Sequence, residues 1–297
     1  MPTMREQACA TASELFRNEE RVVLVLGEIS LGYFEDAFRL APERAVNVGI
    51  MEQCMIGVAA GFAMEGLLPI VHTITPFLVE RPLEQLKLDF GYQRLGGTFI
   101  SVGASYDYSI EGPTHHSPGD VAVLSTIPGF EILVPGTAAE TDRLIRATYS
   151  NGRPTYVRTS IRQNGQSLEV EPGRIEVIRR GNRPAATVLA VGPMLTPVLE
   201  ASAGLDVSIL YATSVFPFDG ETLLREAGDL VIAVEPFQEG TLAPRIAEAL
   251  ADRPTRIRSI GAPRRYLIGY GTPDELNAAA GLDVADIRRR LEPWVSV

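Results

Sequence analysis

The chain has 297 residues, 45% hydrophobic and 22% charged, with a formal net charge of -10. That length suits two domains of ordinary size, and the apolar content fills at least one complete core. The acidic balance excludes nucleic acid and anionic membrane as general partners, while leaving room for a local basic pocket that takes an anionic substrate.

Two cysteines, Cys9 and Cys54, lie far apart in the chain and show no metal-ligand spacing, which points to a reduced, cytoplasmic setting. The opening MPTMREQACATASELF lacks the apolar core of a secretory signal. The longest uncharged apolar run, residues 54–64, is too short to span a bilayer. The sequence shows no internal repeat.

In chain order, residues 5–17 predict a helix with Ala8, Ala12, Leu15 and Phe16 on one face. VVLVLGE (22–28) reads as a buried parallel strand. Residues 52–65 predict a helix closed by Gly66. LPIVHTI (68–74) reads as strand, 83–95 as helix, and TFISVGA (98–104) as strand before the turn-rich loop SYDYSIEGPTHHSPGD. A strand at 131–134, a helix at 138–149 and the strand PTYVRTS (154–160) complete a first α/β unit. Residues 162–184 are polar and punctuated by Gly and Pro, which predicts a linker with one hairpin. A second α/β pattern follows: strands at 186–192, 207–212, 229–235 and 255–260, with helices at 242–250 and 283–291. The expected fold is α/β, in two domains (1–174 and 175–297), each a mainly parallel sheet covered by helices on both faces.

One carboxylate stands out. Glu52 sits near the start of NVGIMEQCMIGVAAGFAMEG, a segment otherwise built for burial. A first-turn carboxylate interacts favourably with the helix dipole, and that is the plain explanation. A buried ion pair is a second reading, with Arg44 the one cation nearby in sequence. A desolvated carboxyl held ready to share a proton is the third.

Three segments together resemble the C-terminal half of transketolase and of deoxyxylulose-phosphate synthase, both thiamine diphosphate enzymes. NVGIMEQCMIGVAAGFAMEG is similar to their glutamate motif, TPFLVERPLEQ follows it, and IEGPTHHSPGD is similar to their GPTH loop. GTPDEL and AAGLDVADIRRRL carry the likeness weakly to the last helix. The resemblance implies a pyrimidine-binding domain followed by a transketolase C-terminal domain. It implies that Glu52 hydrogen-bonds N1′ of the cofactor's aminopyrimidine, that Phe77 stacks on that ring, and that Ile29 props the cofactor in its bent form. Small residues Gly57, Ala60 and Gly61 would let helices pack closely beside it.

For the substrate, the resemblance implies proton transfer by His115, with His116 and Glu111 beside it in the same loop. Arg5 and either Arg158 or Arg162 are the candidates for an anionic end, since the guanidinium fork suits phosphate or carboxylate. His72 reads as structural. Some family residues are missing: Leu31 replaces a serine, no histidine lies near Gly103 or Ala104, and Glu111 replaces an aspartate. The sugar contacts are therefore only partly kept.

The GDG motif that holds magnesium in this superfamily is absent from the chain. The resemblance therefore implies the second subunit of a split transketolase. Thiamine diphosphate and Mg2+ would be completed by a partner subunit carrying the diphosphate-binding domain, in an assembly of two of each. The activity expected is transfer of a two-carbon ketol unit between sugars. The alternatives are the beta subunit of a 2-oxo-acid dehydrogenase decarboxylase component, or a non-catalytic regulatory subunit of the same fold. The GPTH loop favours the transketolase reading.

Overall fold

The computed structural model describes residues 2–295. Six strands come first: β1 (Val22–Leu26), β2 (Ala45–Asn47), β3 (Leu68–Ile74), β4 (Gly97–Val102), β5 (Glu131–Leu133) and β6 (Pro154–Arg158). Six follow: β7 (Ile175–Arg179), β8 (Thr187–Val191), β9 (Ser208–Ala212), β10 (Ser214–Phe216), β11 (Leu230–Gln238) and β12 (Arg256–Ala262). They form two mostly parallel sheets flanked by helices, a pair of α/β domains. The first sheet has the order β10-β5-β6-β4-β3-β1-β2 and the second β12-β11-β8-β9-β7. Among the described strands, the edge pairs β10–β5 and β7–β9 are antiparallel and the other pairs parallel. Central strands such as VVLVL are buried at every position, so an unbroken apolar run replaces alternation.

Helix ends follow local chemistry. The helix Met4–Asn18 starts with a capping box, in which the Thr3 hydroxyl accepts from the Glu6 N–H and the Glu6 carboxylate accepts from the Thr3 N–H. Two predicted segments differ. The helix expected over 83–95 is a short turn, Leu83–Gln85, continued by a π-helix, Leu86–Tyr92. In the expected linker, no hairpin forms: Ile175–Arg179 is a strand that pairs with β9 from the second unit. Its partner lies more than twenty-five residues away in sequence, beyond any local turn signal.

The two units are stitched together. β10, which belongs to the second unit by sequence, adds itself to the first sheet, where the Val134 N–H donates to the Thr213 carbonyl at 2.7 Å. The Tyr211 hydroxyl donates to Glu140 at 2.7 Å, and the Ser105 hydroxyl donates to the Pro236 carbonyl at 2.6 Å. Among the described residues, no helix is long and apolar enough to cross a membrane.

Candidate active site

In parallel α/β sheets, functional side chains gather beyond the carboxyl ends of the strands. Here β1 runs into Gly27–Ser30, β3 into the short helix Thr75–Val79, and β4 into the loop that carries GPTHH. Gly27 permits the approach of these elements. A Cβ there would meet the Thr73 hydroxyl at 3.0 Å and the Met55 sulfur at 3.2 Å.

Glu52 opens the helix Glu52–Met64 and is only 3% exposed. Its Oε1 accepts from Arg81 at 2.9 Å. The same guanidinium lies over the Phe77 ring, 3.8 Å from its centroid. Phe77 in turn meets the His115 ring edge-on, with centroids 5.0 Å apart. Tyr108 flanks His115 on another side at 6.1 Å, and Thr114 shares a 2.9 Å hydrogen bond with His115 Nδ1. One arginine thus bridges a buried carboxylate to an aromatic face, and a histidine packs against that same aromatic ring. Sequence reasoning singled out Glu52, Phe77 and His115 and missed Arg81. The signal was present, because Arg81 stands four residues after Phe77 in TPFLVERPLEQ, the spacing of one helical turn.

Two sequence expectations need correcting. The buried ion pair of Glu52 exists, but with Arg81 rather than Arg44. Arg44 donates to the carbonyls of Phe16, Glu19 and Val22, and stacks on Phe16. Phe77 sits within the helix Thr75–Val79. Of the small residues, Ala60 is buried, but Gly57 and Gly61 face outward, where an added Cβ would meet nothing within 4 Å. These glycines do not serve packing within the chain.

A second group lies at the end of β1. His72 Nδ1 faces the Ile100 carbonyl at 2.8 Å, so that nitrogen carries the proton. Burial holds the ring's pKa down at about 4, leaving it neutral with Nε2 as acceptor. Nε2 takes the Ser30 hydroxyl at 2.8 Å, and Ser30 in turn accepts from Arg5 Nε at 3.0 Å. Each hydrogen bond fixes the direction of the next, and the chain ends by orienting the half-buried Arg5 fork. Ser30 takes a left-handed conformation, φ 61°, to complete it. Ile29 is half-buried beside it, and Glu111 is exposed in the turn Ser109–Glu111.

The other candidates are placed elsewhere. Arg158 is 1% exposed and donates to Asp120 at 2.7 Å and to Ser105 at 2.7 Å. Tyr156 also donates to Asp120, at 2.7 Å. The Arg158 guanidinium is committed inside the core. Asp120 is the partner that sequence reasoning missed, hidden at the end of a loop. Arg162 reaches across to the second unit, donating to the Leu282 carbonyl at 3.1 Å. His116 turns from the His115 side and packs edge-on against Tyr106, 5.4 Å away. Among the described residues, no group of three or more His, Cys, Asp or Glu is placed to hold a metal ion.

Residues 1–166 match the model of the transketolase pyrimidine binding domain, and residues 173–287 that of the transketolase C-terminal domain. The chain belongs to the transketolase family. A protein of the fasciation locus of Rhodococcoides fascians is 39% identical over 291 residues, covering 96% of this chain and 92% of that one. One subunit of the apulose-4-phosphate transketolase of Phocaeicola vulgatus is 29% identical, covering 95% of this chain and 94% of the relative. The fold is similar to a solved split-gene transketolase, described as an inactive beta4 tetramer. The TM-score is 0.86 at 25% identity, covering 100% of this chain and 99% of that one. Within this transketolase-family chain, the Glu52–Phe77–His115 group and the Arg5 chain both lie in the domain matched by the pyrimidine-binding model.

Proposed function

We propose that this chain is one subunit of a split, thiamine diphosphate-dependent transketolase that moves a two-carbon ketol unit between an anionic ketose and an aldose. The reading is carried by the Glu52–Arg81–Phe77 arrangement. A flat, nitrogen-rich group already stacks on Phe77 and bonds to Glu52, which are the two contacts an aminopyrimidine needs. The residues present therefore fit the pyrimidine half of the cofactor. Its diphosphate and Mg2+ are assigned to a partner subunit, and the division into subunits named for the Phocaeicola relative supports this assignment.

When bound, thiamine diphosphate supplies the electron sink for carbon–carbon cleavage. Glu52, dry and at the helix start, holds a proton at the ring nitrogen and so selects the tautomer. Phe77 would stack on the face of the ring, and Ile29 would pack against the cofactor beside it. His115, held by Thr114 and facing Phe77, moves a proton at the reacting sugar carbon. Arg5, oriented by Ser30 and His72, takes an anionic end of the substrate. Glu111, at the mouth of the same loop, takes a sugar hydroxyl.

The outward face of the helix Glu52–Met64 suits a partner. Gly57 and Gly61 let another backbone approach, and the neighbouring Ile50 and Met64 are 70% and 64% exposed. The test is reconstitution with the subunit that carries the diphosphate-binding domain. The pair should transfer ketol units, and the chain alone should neither turn over nor bind the cofactor tightly. Turnover by the chain alone, or 2-oxo-acid decarboxylation without ketol transfer, would remove this reading.

A further inference from the structure

At the other ends of the strands from the candidate active site lies a cavity of about 670 Å³. It opens where β4, β5 and β6 begin, between the π-helix Leu86–Tyr92 and the turns that lead into β5 and β6. The π-helix shapes it. The Gln93 N–H donates to the Leu88 carbonyl at 3.3 Å and the Leu95 N–H to the Phe90 carbonyl at 3.1 Å, so each bond spans a wider turn than in an α-helix. Gly91 lets this wide turn rest on the turn before β5, because a Cβ there would stand 2.5 Å from Ile127 Cγ2. Gly129 and Gly152 leave the cavity open: an added Cβ at either would meet nothing within 4 Å.

Two properties of the lining define what it can hold. The first is apolar surface. Leu88, Tyr92 and Pro128 all line the cavity and are exposed, so their side chains are wet until something covers them. The volume lies within the range that takes a small organic molecule, about 300–1,000 Å³.

The second is charge. The lining carries three cations, Lys87, Arg94 and Arg153, and no carboxylate. In a chain of net charge -10 that is a local reversal of sign. Arg153 is partly neutralised by Glu131 at 3.2 Å. Lys87 and Arg94 are exposed and make no ion pair or side-chain hydrogen bond among the described residues. Arg94 follows the π-helix with φ 58°, a backbone that favours glycine. The position thus carries a guanidinium where conformation alone would omit a side chain.

We propose that this cavity binds a small aromatic carboxylate, its ring against Leu88, Tyr92 and Pro128 and its carboxylate on Lys87 and Arg94. A neutral hydrocarbon would leave the cations unused, and a hydroxyl-rich anion would leave the apolar surface wet. A flat ring with one negative charge uses both. The site lies at the strand ends away from Glu52, so its test needs neither cofactor nor partner subunit and does not depend on the transketolase reading.

The probes are 2-naphthoate, 2-naphthol and acetate, each titrated calorimetrically into the purified full-length chain at neutral pH. 2-Naphthoate should bind at least about tenfold tighter than either of the others, since only it uses both the apolar wall and the cations. Sodium chloride at about 0.5 M should weaken naphthoate binding, because charges at an open rim are screened. Lys87→Gln/Arg94→Gly should lower naphthoate affinity about tenfold or more. Glycine suits the backbone at position 94, so this variant should not lower the melting temperature, which separates a lost contact from a damaged fold. Leu88→Asp, which puts a negative charge on the apolar wall, should abolish binding. Arg5→Ala, at the candidate active site, should leave it unchanged. Loss of naphthoate binding in Arg5→Ala would place the acid at the active site and overturn the proposal. A lower sedimentation coefficient for the Leu88→Asp chain would show that a second copy covers this surface, and would overturn it as well. So would a failure to saturate up to about 5 mM naphthoate, or equal binding by Lys87→Gln/Arg94→Gly.

Discussion

Arg81 donates to Glu52 at 2.9 Å while its guanidinium lies 3.8 Å from the centroid of Phe77. One side chain thus satisfies a carboxylate that is 3% exposed and covers an aromatic face that would otherwise be wet. Arg81 itself is 42% exposed, so it can swing outward without disturbing the core. If the aminopyrimidine takes the seat between Glu52 and Phe77, Arg81 must leave when the cofactor enters. Arg81→Met should therefore lower the melting temperature of the isolated chain, by leaving Glu52 unpaired, and should tighten thiamine diphosphate binding to the assembled pair severalfold. Scanning fluorimetry reads the first effect and calorimetry the second. Looser binding by the variant would show that Arg81 helps the cofactor rather than standing in its place.

Glu52→Gln should preserve the fold, because an amide oxygen can still accept from Arg81. It removes the proton-sharing carboxyl. Turnover of the reconstituted pair should fall by about 10²–10⁴-fold or more, with an unchanged circular dichroism spectrum. Turnover close to wild type would take Glu52 out of the mechanism.

Arg158→Ala should act on stability rather than on substrate KM. It strands Asp120, which is fully buried and holds one carboxylate oxygen that already lacks a partner. Breaking one side of a buried pair costs about 3–5 kcal/mol, whereas Arg158→Met/Asp120→Asn, which removes both charges, should cost less. Denaturant unfolding of the two variants decides this. A stable Arg158→Ala protein with a raised KM would return Arg158 to the substrate site.

His72 gives stability a pH dependence of definite sign. Its folded pKa of about 4 lies below the ordinary 6.5, so the unfolded chain takes up the proton first. Its contribution is present above about pH 6.5 and is lost as pH falls towards about 4. Asp107 works the other way, because burial raises its pKa from 3.8 to about 6, and its contribution falls as pH rises through that window. The wild-type profile mixes the two. The difference between wild type and His72→Asn isolates His72, and it should shrink steadily between about pH 6.5 and 4. A difference that stays constant with pH would mean that His72 is not neutral and buried as described. The same variant should also loosen Arg5, which would appear as a raised KM for an anionic substrate in the reconstituted pair.

The sequence by itself determined what periodicity and local motif can encode. Uninterrupted apolar runs such as VVLVL gave buried parallel strands, their alternation with helices gave the two α/β units, and NVGIMEQCMIGV, TPFLVERPLEQ and IEGPTHHSPGD pointed to Glu52, Phe77 and His115. Pairings between distant segments had no local signal. β7 hid in a polar stretch because its partner β9 lies far along the chain, and β10 joins the other domain's sheet through a register that no turn specifies. The same holds for the charges. Nothing in sequence separates an arginine sealed on Asp120 from one that reaches a ligand, or matches Glu52 to Arg81 rather than to Arg44. Those outcomes depend on which groups lose water together, and burial and ion pairing are settled only when the sheets close and the strand ends converge.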